Sequence, residues 1–364
     1  MTSMQGRRIG LEIHPLDVLF FRDARPFGAA GLGVSRLPPP STLSGAIRTA
    51  LLDGHGADFH KLGTAVREGA SPAEAFMAAG APRWIAEVGI RGPWLRRRGG
   101  VLVPIPATLH SPKDATSGPL TRLDPLDHAP PGWSEDEHGT RPLWRRGVAA
   151  TRPARGWLTP AGLGTFLSGG VPAVAGEVVP DSELYDWDRR TGVGIDPDRL
   201  VAADAKLYGA RFLALAPNVS LHVDAILPPA APRETLAGDF VLALGGERRH
   251  ACVHSVEPAS WPAPRSAGAG DAVVLLTPGL FRARWRPAEL TGKLVAACVP
   301  GDLPISGWDL ARGGPKRSRF AVPAGSVYFL EKGKAAALGD TVADEAEDRL
   351  AGFGVIAKGV WNHA

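Results

Sequence analysis

Residues 36–52 have the sequence RLPPPSTLSGAIRTALL, and this stretch decides the fold prediction for the first part of the chain. Three consecutive prolines cannot extend a helix, whereas Ser41 or Thr42 can cap one, and the apolar residues that follow recur at helical spacing. The preceding stretch 9–21 (IGLEIHPLDVLFF) predicts a first strand followed by an extended continuation that Pro15 interrupts. The glycine-rich stretch 22–33 between them predicts a loop. We therefore expect a strand, a loop and a capped helix, in that order.

The rest of the chain alternates predicted strands with few predicted helices. The predicted strands are 205–216, 219–227, 271–281, 293–299, 325–333 and 353–361. The stretch 239–256 predicts either a further strand pair around the turn Gly245–Gly246 or a short helix that ends there. The predicted helices are 71–80 and 341–352. Strands interleaved with few helices, twice over, indicate an α+β fold that contains two units of the βαββαβ kind.

Residues 88–190 differ from their surroundings, because proline and tryptophan are frequent and the apolar residues show no clear period. We expect this stretch to be a large irregular insertion that packs on the outside of the first unit. The stretch 258–270 (PASWPAPRSAGAG) predicts a linker. These features divide the chain into an N-terminal domain, 1–265, which carries the insertion, and a C-terminal domain, 266–364.

Composition sets broad limits on the function. The chain has 364 residues, 44% of them hydrophobic, and a formal net charge of +4, which permits a polyanionic partner without requiring one. Its two cysteines, Cys252 and Cys298, support neither a disulfide framework nor a cysteine-based zinc site. We find no secretion signal and no apolar run of the roughly 18 residues that a membrane helix needs, so a cytoplasmic location is the expectation.

Motifs for phosphate or metal chemistry are not convincing. The stretch GGPKRS at 313–318 contains a lysine but lacks the glycine spacing of a nucleotide-binding P-loop. Asp124 precedes Pro125, which favours a capping role in a turn over a catalytic role. His14, at the end of the first predicted strand, is interpreted as a structural or edge-strand histidine. We therefore expect no cofactor and no metal site.

Three basic elements are better candidates for function. In the first, Arg22 and Arg25 flank Asp23 in the glycine-rich loop, while Arg36 and Arg48 bracket the following helix, whose N-terminus offers free N–H groups to a phosphate.

The second and third basic elements lie further along the chain. Arg248 and Arg249 directly follow the predicted glycine turn. The stretch GWDLARGGPKRSRF at 307–320 places Trp308 near a run of cations that includes Lys316 and Arg317. Cations interleaved with an aromatic residue suit a single-stranded nucleic acid, whose phosphates contact the cations and whose bases stack.

Together, several sequence blocks resemble the RAMP protein family that forms subunit three of the Cmr complex, the type III-B CRISPR effector. The matching blocks follow the family order and cover nearly the whole chain: LDVLFFRDARPFG, PPPSTLSGAIRTALL, AKLYGARFL, LGGERRH, ISGWDLARGGPKRSRFAVPAGSVYF and GFGVIAKGVW. The resemblance implies two tandem ferredoxin-like (RRM-like) domains. It also implies a non-catalytic subunit for antiviral defence that binds the 5′ handle of the CRISPR RNA, contacts the large polymerase-like subunit and the backbone RAMP subunits, and meets target RNA indirectly.

Carried onto the matching blocks, the resemblance assigns two kinds of role. It implies RNA contact for Arg22, Arg25, Ser41, Thr42, Arg48, Arg248, Arg249, Trp308 and Lys358. It implies backbone-shaping roles for Asp309, Gly245, Gly246, Gly352 and Gly354. Two other interpretations stay open. One is a metal-independent endoribonuclease for CRISPR RNA processing, with His14 or His250 as the general base. The other is a pure assembly scaffold whose basic loops contact protein.

Overall fold

The computed structural model of this chain describes residues 6–21, 32–34, 36–113, 118–128, 130–133, 139–145, 149–195, 202–247, 249–309 and 311–363. The predicted α+β class is confirmed, since most of the regular structure is β-sheet and the helices are few and short. Within these ranges no helix is long and apolar enough to span a membrane.

The described helices agree with the three predicted ones and add others. They are α1 (Pro40–Gly54), α2 (Phe59–Arg67), α3 (Pro72–Ala78), α4 (Pro160–Leu167), α5 (Val174–Glu177) and α6 (Ala346–Ala351), with 3-10 turns at Arg83–Glu87, Asp181–Glu183 and Ala288–Leu290. The sequence analysis missed α2, although Asp58 caps it by accepting hydrogen bonds from the backbone N–H groups of His60 and Lys61. An aspartate before an amphipathic segment is a signal that could have revealed this helix.

The predicted cap of α1 is wrong, although the helix itself is confirmed. The helix begins at Pro40 and follows Pro39, with no side chain capping its N-terminus. Ser41 and Thr42 already lie in the first turn. Proline fits this position because its missing N–H would have no partner within the helix.

The strands fall into a longer first set and a shorter second set. The first set is β1 (Arg7–Pro15), β2 (Leu32–Val34), β3 (Gly89–Arg97), β4 (Gly100–Pro104), β5 (Leu109–Pro112), β6 (Thr121–Arg122), β7 (Asp124–Pro125), β8 (Leu143–Trp144), β9 (Thr151–Pro153), β10 (Trp157–Leu158), β11 (Val178–Val179), β12 (Tyr185–Ile195), β13 (Ala202–Leu215), β14 (Val219–Leu227), β15 (Phe240–Ala243) and β16 (His250–Val256). The second set is β17 (Gly270–Leu275), β18 (Leu294–Cys298), β19 (Leu303–Ile305), β20 (Trp308–Asp309), β21 (Gly314–Pro315), β22 (Arg319–Ala321), β23 (Val327–Leu330) and β24 (Ile356–Trp361).

An eight-stranded antiparallel sheet forms the centre of the first part of the chain, in the order β11-β10-β4-β3-β14-β1-β16-β15. Leu11 and Ile13 of β1 are fully buried and belong to the same apolar cluster as Leu43 and Ile47 of α1. The alternate residues of β1 face the other side of the sheet. Because β1 lies between β14 and β16, the expectation that His14 belongs to an edge strand is wrong.

The expectation of an irregular outer insertion at 88–190 is wrong for the strands at its two ends. Four strands from this stretch, β3, β4, β10 and β11, make up half of the eight-stranded sheet. Trp94 and Leu95 of β3 are each only 1% exposed. A strand covered on both faces lacks the alternation of apolar and polar residues that marks a half-exposed strand. This explains why the sequence pattern did not predict β3. The division of the chain at about residue 265 stays a prediction.

The second sheet has four antiparallel strands in the order β18-β23-β17-β24. It confirms the four strands predicted for the last part of the chain. Both faces are covered, because Tyr328 and Phe329, adjacent on β23, are fully buried in different apolar clusters.

Two further antiparallel elements lie outside the two large sheets. The strands β12 and β13 pair over most of their length, and β2 runs parallel to β13. We term the β12–β13 pair the long ribbon. Residues 303–309 and 311–321 form a second element, in which β19 pairs with β22 and β20 pairs with β21. We term it the Trp308 hairpin.

A buried arginine joins the strand β3 of the first sheet to the last part of the chain. Arg91 is 1% exposed, and its Nε and Nη2 donate to the two carboxylate oxygens of Asp340 at 3.0 and 3.1 Å. Its Nη1 donates to the carbonyl of Arg349 in α6 at 2.9 Å. A Cβ on Gly352 would lie 3.0 Å from the Ile90 carbonyl, so this residue must be small for α6 to approach β3.

Replacing the surface partner of this arginine should destabilise the protein. Asp340 is 61% exposed at its side chain, but Asp340→Ala removes the carboxylate that accepts two hydrogen bonds from the buried guanidinium of Arg91. We expect the free energy of unfolding to fall by about 3 kcal/mol in urea titrations. The exposed Asp302 is the matched control, and Asp302→Ala should change stability by no more than about 0.5 kcal/mol. Equal effects of the two substitutions would contradict this role for the ion pair.

Candidate nucleic-acid interface

Two of the basic elements predicted from the sequence meet at Phe20 and Phe21, the last described residues before the glycine-rich loop. The Phe20 carbonyl accepts a hydrogen bond from the Gly246 N–H at 2.8 Å. The Phe21 carbonyl accepts one from the Arg36 N–H at 3.3 Å. The turn after β15 and the segment that leads into α1 are therefore both attached to this point, which we term the Phe20 junction.

Gly245 and Gly246 allow the turn to approach the junction closely. Gly245 has a φ of +80°, and a Cβ on it would lie 2.7 Å from the Phe20 carbonyl oxygen. A Cβ on Gly246 would lie 3.1 Å from the Phe20 ring. A side chain at Gly245 would be strained both by its backbone conformation and by this contact. The two glycines therefore shape the turn.

Arg249 is held by groups of the protein itself. Its guanidinium forms an ion pair with Asp17 and lies 5.3 Å from the centre of the Phe212 ring, and its side chain is 20% exposed. The hydrogen bond from the Val18 N–H, with Arg249 and Arg190 nearby, holds the pKa of Asp17 below its usual value. Because Asp17 already neutralises Arg249, less of its charge is available to a phosphate.

The long ribbon next to the junction carries arginines that are not neutralised in this way. Arg189 of β12 lies directly opposite Arg211 of β13. Arg189 is exposed, and the Arg211 guanidinium lies 4.6 Å from the centre of the Trp187 ring. Among the described residues, no carboxylate forms an ion pair with either arginine. Like charges directly opposite each other in a sheet are destabilising, so an anion bound here would relieve repulsion.

The sequence analysis missed this part of the long ribbon because it assigned the residues before 190 to the insertion. A local signal was present in the sequence YDWDRR at 185–190, where Tyr185, Trp187 and Arg189 alternate with other residues at the period of a strand. Arg190 points to the opposite face and is paired with Asp188 at 2.7 Å.

The Trp308 hairpin presents aromatic and basic side chains to solvent. Trp308 is 55% exposed and Phe320 is 65% exposed. Lys316 and Arg317 are both exposed, and no described carboxylate forms an ion pair with either. The sequence analysis did not single out Phe320, which the structure places on the same hairpin as Trp308. An aromatic surface beside free cations is the combination expected of a single-strand binding site.

The hairpin is attached to α2. The Arg67 guanidinium donates to the Ala311 carbonyl at 2.8 Å. Within the hairpin, Asp309 accepts hydrogen bonds from the N–H groups of Ala311 and Arg312, each at 3.1 Å. Burial alone would raise the pKa of Asp309, but its hydrogen bonds from Arg312 outweigh that effect and lower it. The structure thus gives Asp309 a turn-shaping role.

Other predicted contact residues are engaged inside the protein. Arg48 donates to the Val88 carbonyl at 2.8 Å, and burial lowers the pKa of its guanidinium. The Lys358 ammonium donates to the Leu338 carbonyl. Gly354, like Gly352, has a positive φ in the tight loop that follows α6.

Four predicted residues lie outside the described part of the chain: Arg22, Asp23, Arg25 and Arg248. RNA contact by any of the predicted residues therefore stays a prediction. In the part of the chain that the structure covers, no cluster of three or more histidine, cysteine or acidic side chains is arranged to hold a metal ion.

Comparisons with known proteins give the family. A comparison with curated protein sequences produced no match. One similar solved structure is a chain of a type III-B Cmr-beta complex bound to cognate target RNA and AMPPnP, with a TM-score of 0.51 and 16% identity, covering 88% of this chain and 86% of that one. A second structure of Cmr-beta, bound to cognate target RNA, gives a TM-score of 0.49 at 16% identity, with the same coverage of both chains.

The profile of the family described as CRISPR-associated protein (Cas_Cmr3) matches residues 11–361. That match covers nearly the whole chain and agrees with the sequence blocks that carry the resemblance. The chain therefore belongs to the Cmr3 family of CRISPR-associated proteins.

Proposed function

We propose that this protein is a non-catalytic RNA-binding subunit of a type III-B Cmr effector complex, where it holds the repeat-derived 5′ handle of the CRISPR RNA. The observation that carries the proposal is the pair of arginines, Arg189 and Arg211, that lie opposite each other on the long ribbon without a carboxylate partner among the described residues. A phosphate placed between them would remove the repulsion and gain two charge-assisted hydrogen bonds.

The Trp308 hairpin supports the same proposal from a second surface. An exposed indole provides a stacking platform for an unpaired base, and Lys316 and Arg317 offer charge to the adjoining phosphates. Because the hairpin and the Phe20 junction are held by different elements, an RNA that contacts both must extend across the surface between them. A single-stranded handle, unlike a rigid duplex, can follow such a path.

We also infer that the chain contains two ferredoxin-like domains, and the strand order of both sheets supports this. In the second sheet the strands, numbered by their order along the chain from β17, lie in the order 4-1-3-2. Within the first sheet, the strands β16, β1, β14 and β3 give the same order, with α1 between the first and second strands. This is the strand order of a βαββαβ unit whose crossovers each skip one strand.

The expected partners follow from the family and belong to this proposal. In a Cmr complex the protein would bridge the large polymerase-like subunit and the backbone RAMP subunits, and would meet target RNA only through the guide. The similar solved complex contains cognate target RNA, which supports an RNA-bound setting for the fold.

The salt dependence of binding tests the proposal directly. We expect the double variant Arg189→Ala, Arg211→Ala to bind a labelled handle-containing RNA with a shallower dependence of affinity on salt. The log–log slope should fall in magnitude by about 0.7 for each phosphate that the variant no longer neutralises, which fluorescence anisotropy at several KCl concentrations measures. Arg265→Ala, at an exposed arginine that belongs to neither the long ribbon nor the Trp308 hairpin, should leave the slope unchanged. An unchanged slope in the double variant would show that the long ribbon is not part of the RNA site. If the wild-type protein binds no RNA, the result would favour the alternative that the protein is a pure assembly scaffold.

Trp308 should contribute stacking and not charge. Because it is exposed, Trp308→Ala should leave the melting temperature unchanged while RNA affinity falls by about 1–3 kcal/mol. The slope against salt should stay the same, since stacking releases no counter-ions. Trp133→Ala, at a tryptophan that is 48% exposed elsewhere, is the control. A variant that loses stability before it loses RNA would assign Trp308 to packing.

One observation favours the endoribonuclease alternative enough to require a test. The rings of His14 and His254 lie 5.4 Å apart, and the Nε2 of His14 is 3.5 Å from Glu12. Two histidines at this spacing can act as an acid and a base on one phosphodiester.

We expect no cleavage when the purified protein is incubated with labelled repeat RNA in EDTA, because the carboxylates of Glu12 and Asp239, at 3.5 Å from His14 and 2.8 Å from His254, repel an anionic phosphodiester. Defined cleavage products on a sequencing gel that disappear in His14→Ala would establish the nuclease and refute a non-catalytic subunit. His60→Ala, at an exposed histidine of α2, controls for a contaminating nuclease.

A further inference from the structure

A groove of about 330 Å³ lies between the β7–β8 pair and the residues that follow α4. Its lining includes Arg122, Asp124, Trp144 and Arg145. None of these residues belongs to the basic elements that the sequence analysis identified. The groove is therefore separate from the long ribbon and from the Trp308 hairpin.

Asp124 occupies a different setting from the turn that the sequence predicts. It lies in β7, directly opposite Trp144 of β8. Directly opposed residues of an antiparallel pair have Cβ atoms about 5 Å apart and project from the same face. The carboxylate of Asp124 and the indole of Trp144 therefore line the groove side by side, and the indole is 55% exposed.

Arg122 fixes the position of the carboxylate. Its Nε donates to Oδ1 of Asp124 at 2.9 Å, and its Nη1 and Nη2 donate to the carbonyls of Phe166 and Val360 at 2.9 and 3.2 Å. The Arg122 side chain is only 3% exposed. Oδ2 of Asp124 accepts no hydrogen bond from any described residue. The groove thus contains a preorganised acceptor with an unused oxygen.

We propose that this groove binds one unpaired nucleotide of an RNA strand. The base stacks on Trp144 and donates an N–H to Oδ2 of Asp124, while the adjoining phosphate lies near Arg145. This inference rests on the proposed RNA-binding function and adds a base-reading site to it. Stacking on an aromatic side chain combined with hydrogen bonding to a base edge is the usual way in which proteins read single-stranded RNA.

The acceptor predicts which bases bind. Guanine offers two adjacent N–H groups on its Watson–Crick edge, and cytosine and adenine each offer an amino group. Uracil offers a single N–H flanked by two carbonyl oxygens, which repel a carboxylate. We therefore expect guanine to bind most tightly and uracil most weakly.

The charge of the groove favours a nucleotide over a basic side chain of a partner protein. An arginine or lysine would also stack on an indole and pair with a carboxylate. However, Arg122 already neutralises Asp124, and Arg145 adds a further positive charge. With two cations against one anion, the groove repels a third cation and attracts a phosphate.

The test uses the full chain and labelled pentanucleotides UUGUU, UUCUU, UUAUU and UUUUU, with dissociation constants from fluorescence anisotropy. Wild-type protein should bind UUGUU at least about fivefold more tightly than UUUUU. Trp144→Ala should weaken UUGUU binding by about tenfold, whereas Trp144→Phe retains most of the affinity because it keeps a stacking ring. Trp133→Ala, at an exposed tryptophan outside the groove, should match the wild type.

Asp124→Asn tests the acceptor separately from stacking. The asparagine still accepts from Arg122 through Oδ1 but presents an amide N–H₂ in place of Oδ2. Preference for guanine over uracil should then disappear, and the melting temperature, measured in parallel, shows that the variant is folded. A guanine preference that persists in folded Asp124→Asn would overturn the assignment of the acceptor.

The controls separate this inference from the proposed function. If wild type binds the handle-containing RNA but Trp144→Ala binds every pentanucleotide as wild type does, the groove is not a nucleotide site and the proposed function stands. If the pentanucleotides depend on Trp144 while Arg189 and Arg211 do not affect handle binding, the groove stands and the long ribbon fails. A Gly-Arg-Gly amide peptide that binds in a Trp144-dependent manner, with no binding of pentanucleotides, would identify the groove as a protein contact instead.

Discussion

The buried guanidinium of Arg91 ties β3 of the first sheet to the last part of the chain, and the arrangement of the two sheets depends on it. A charge that is 1% exposed is tolerated because the Asp340 carboxylate and the Arg349 carbonyl take up its donors. Three residues further along β3, the Trp94 indole N–H donates to the carbonyl of Leu276, which directly follows β17. The strand β3 thus belongs to one sheet by its backbone and reaches the other through two side chains.

This connection explains why the glycines after α6 are needed. Gly352 ends α6 with a φ of +99° and leaves room for the carbonyls of β3. The same close approach brings Glu347 of α6 near enough to Arg48 of α1 to favour its charged form. Arg48, for which the resemblance implies RNA contact, is therefore packed inside the protein beside α6.

Cations on this protein divide into those that the protein neutralises and those that it leaves available. Arg249 is paired with Asp17, and Arg319 forms two hydrogen bonds of 2.6 Å with Asp348. Arg189 and Arg211 have no such partner among the described residues. A polyanion gains most at the second kind of site, because no existing ion pair has to be broken.

The sequence by itself determined the α+β class, the helix α1 and the strands of the second sheet, because each depends on a local pattern of apolar and turn-forming residues. It also determined the family, through blocks such as PPPSTLSGAIRTALL. Only the tertiary structure decided which arginines are buried, that β3 lies inside a sheet, and that Asp124 faces Trp144 across a strand pair. Burial and cross-strand pairing arise between residues far apart in the chain, and no local pattern records them.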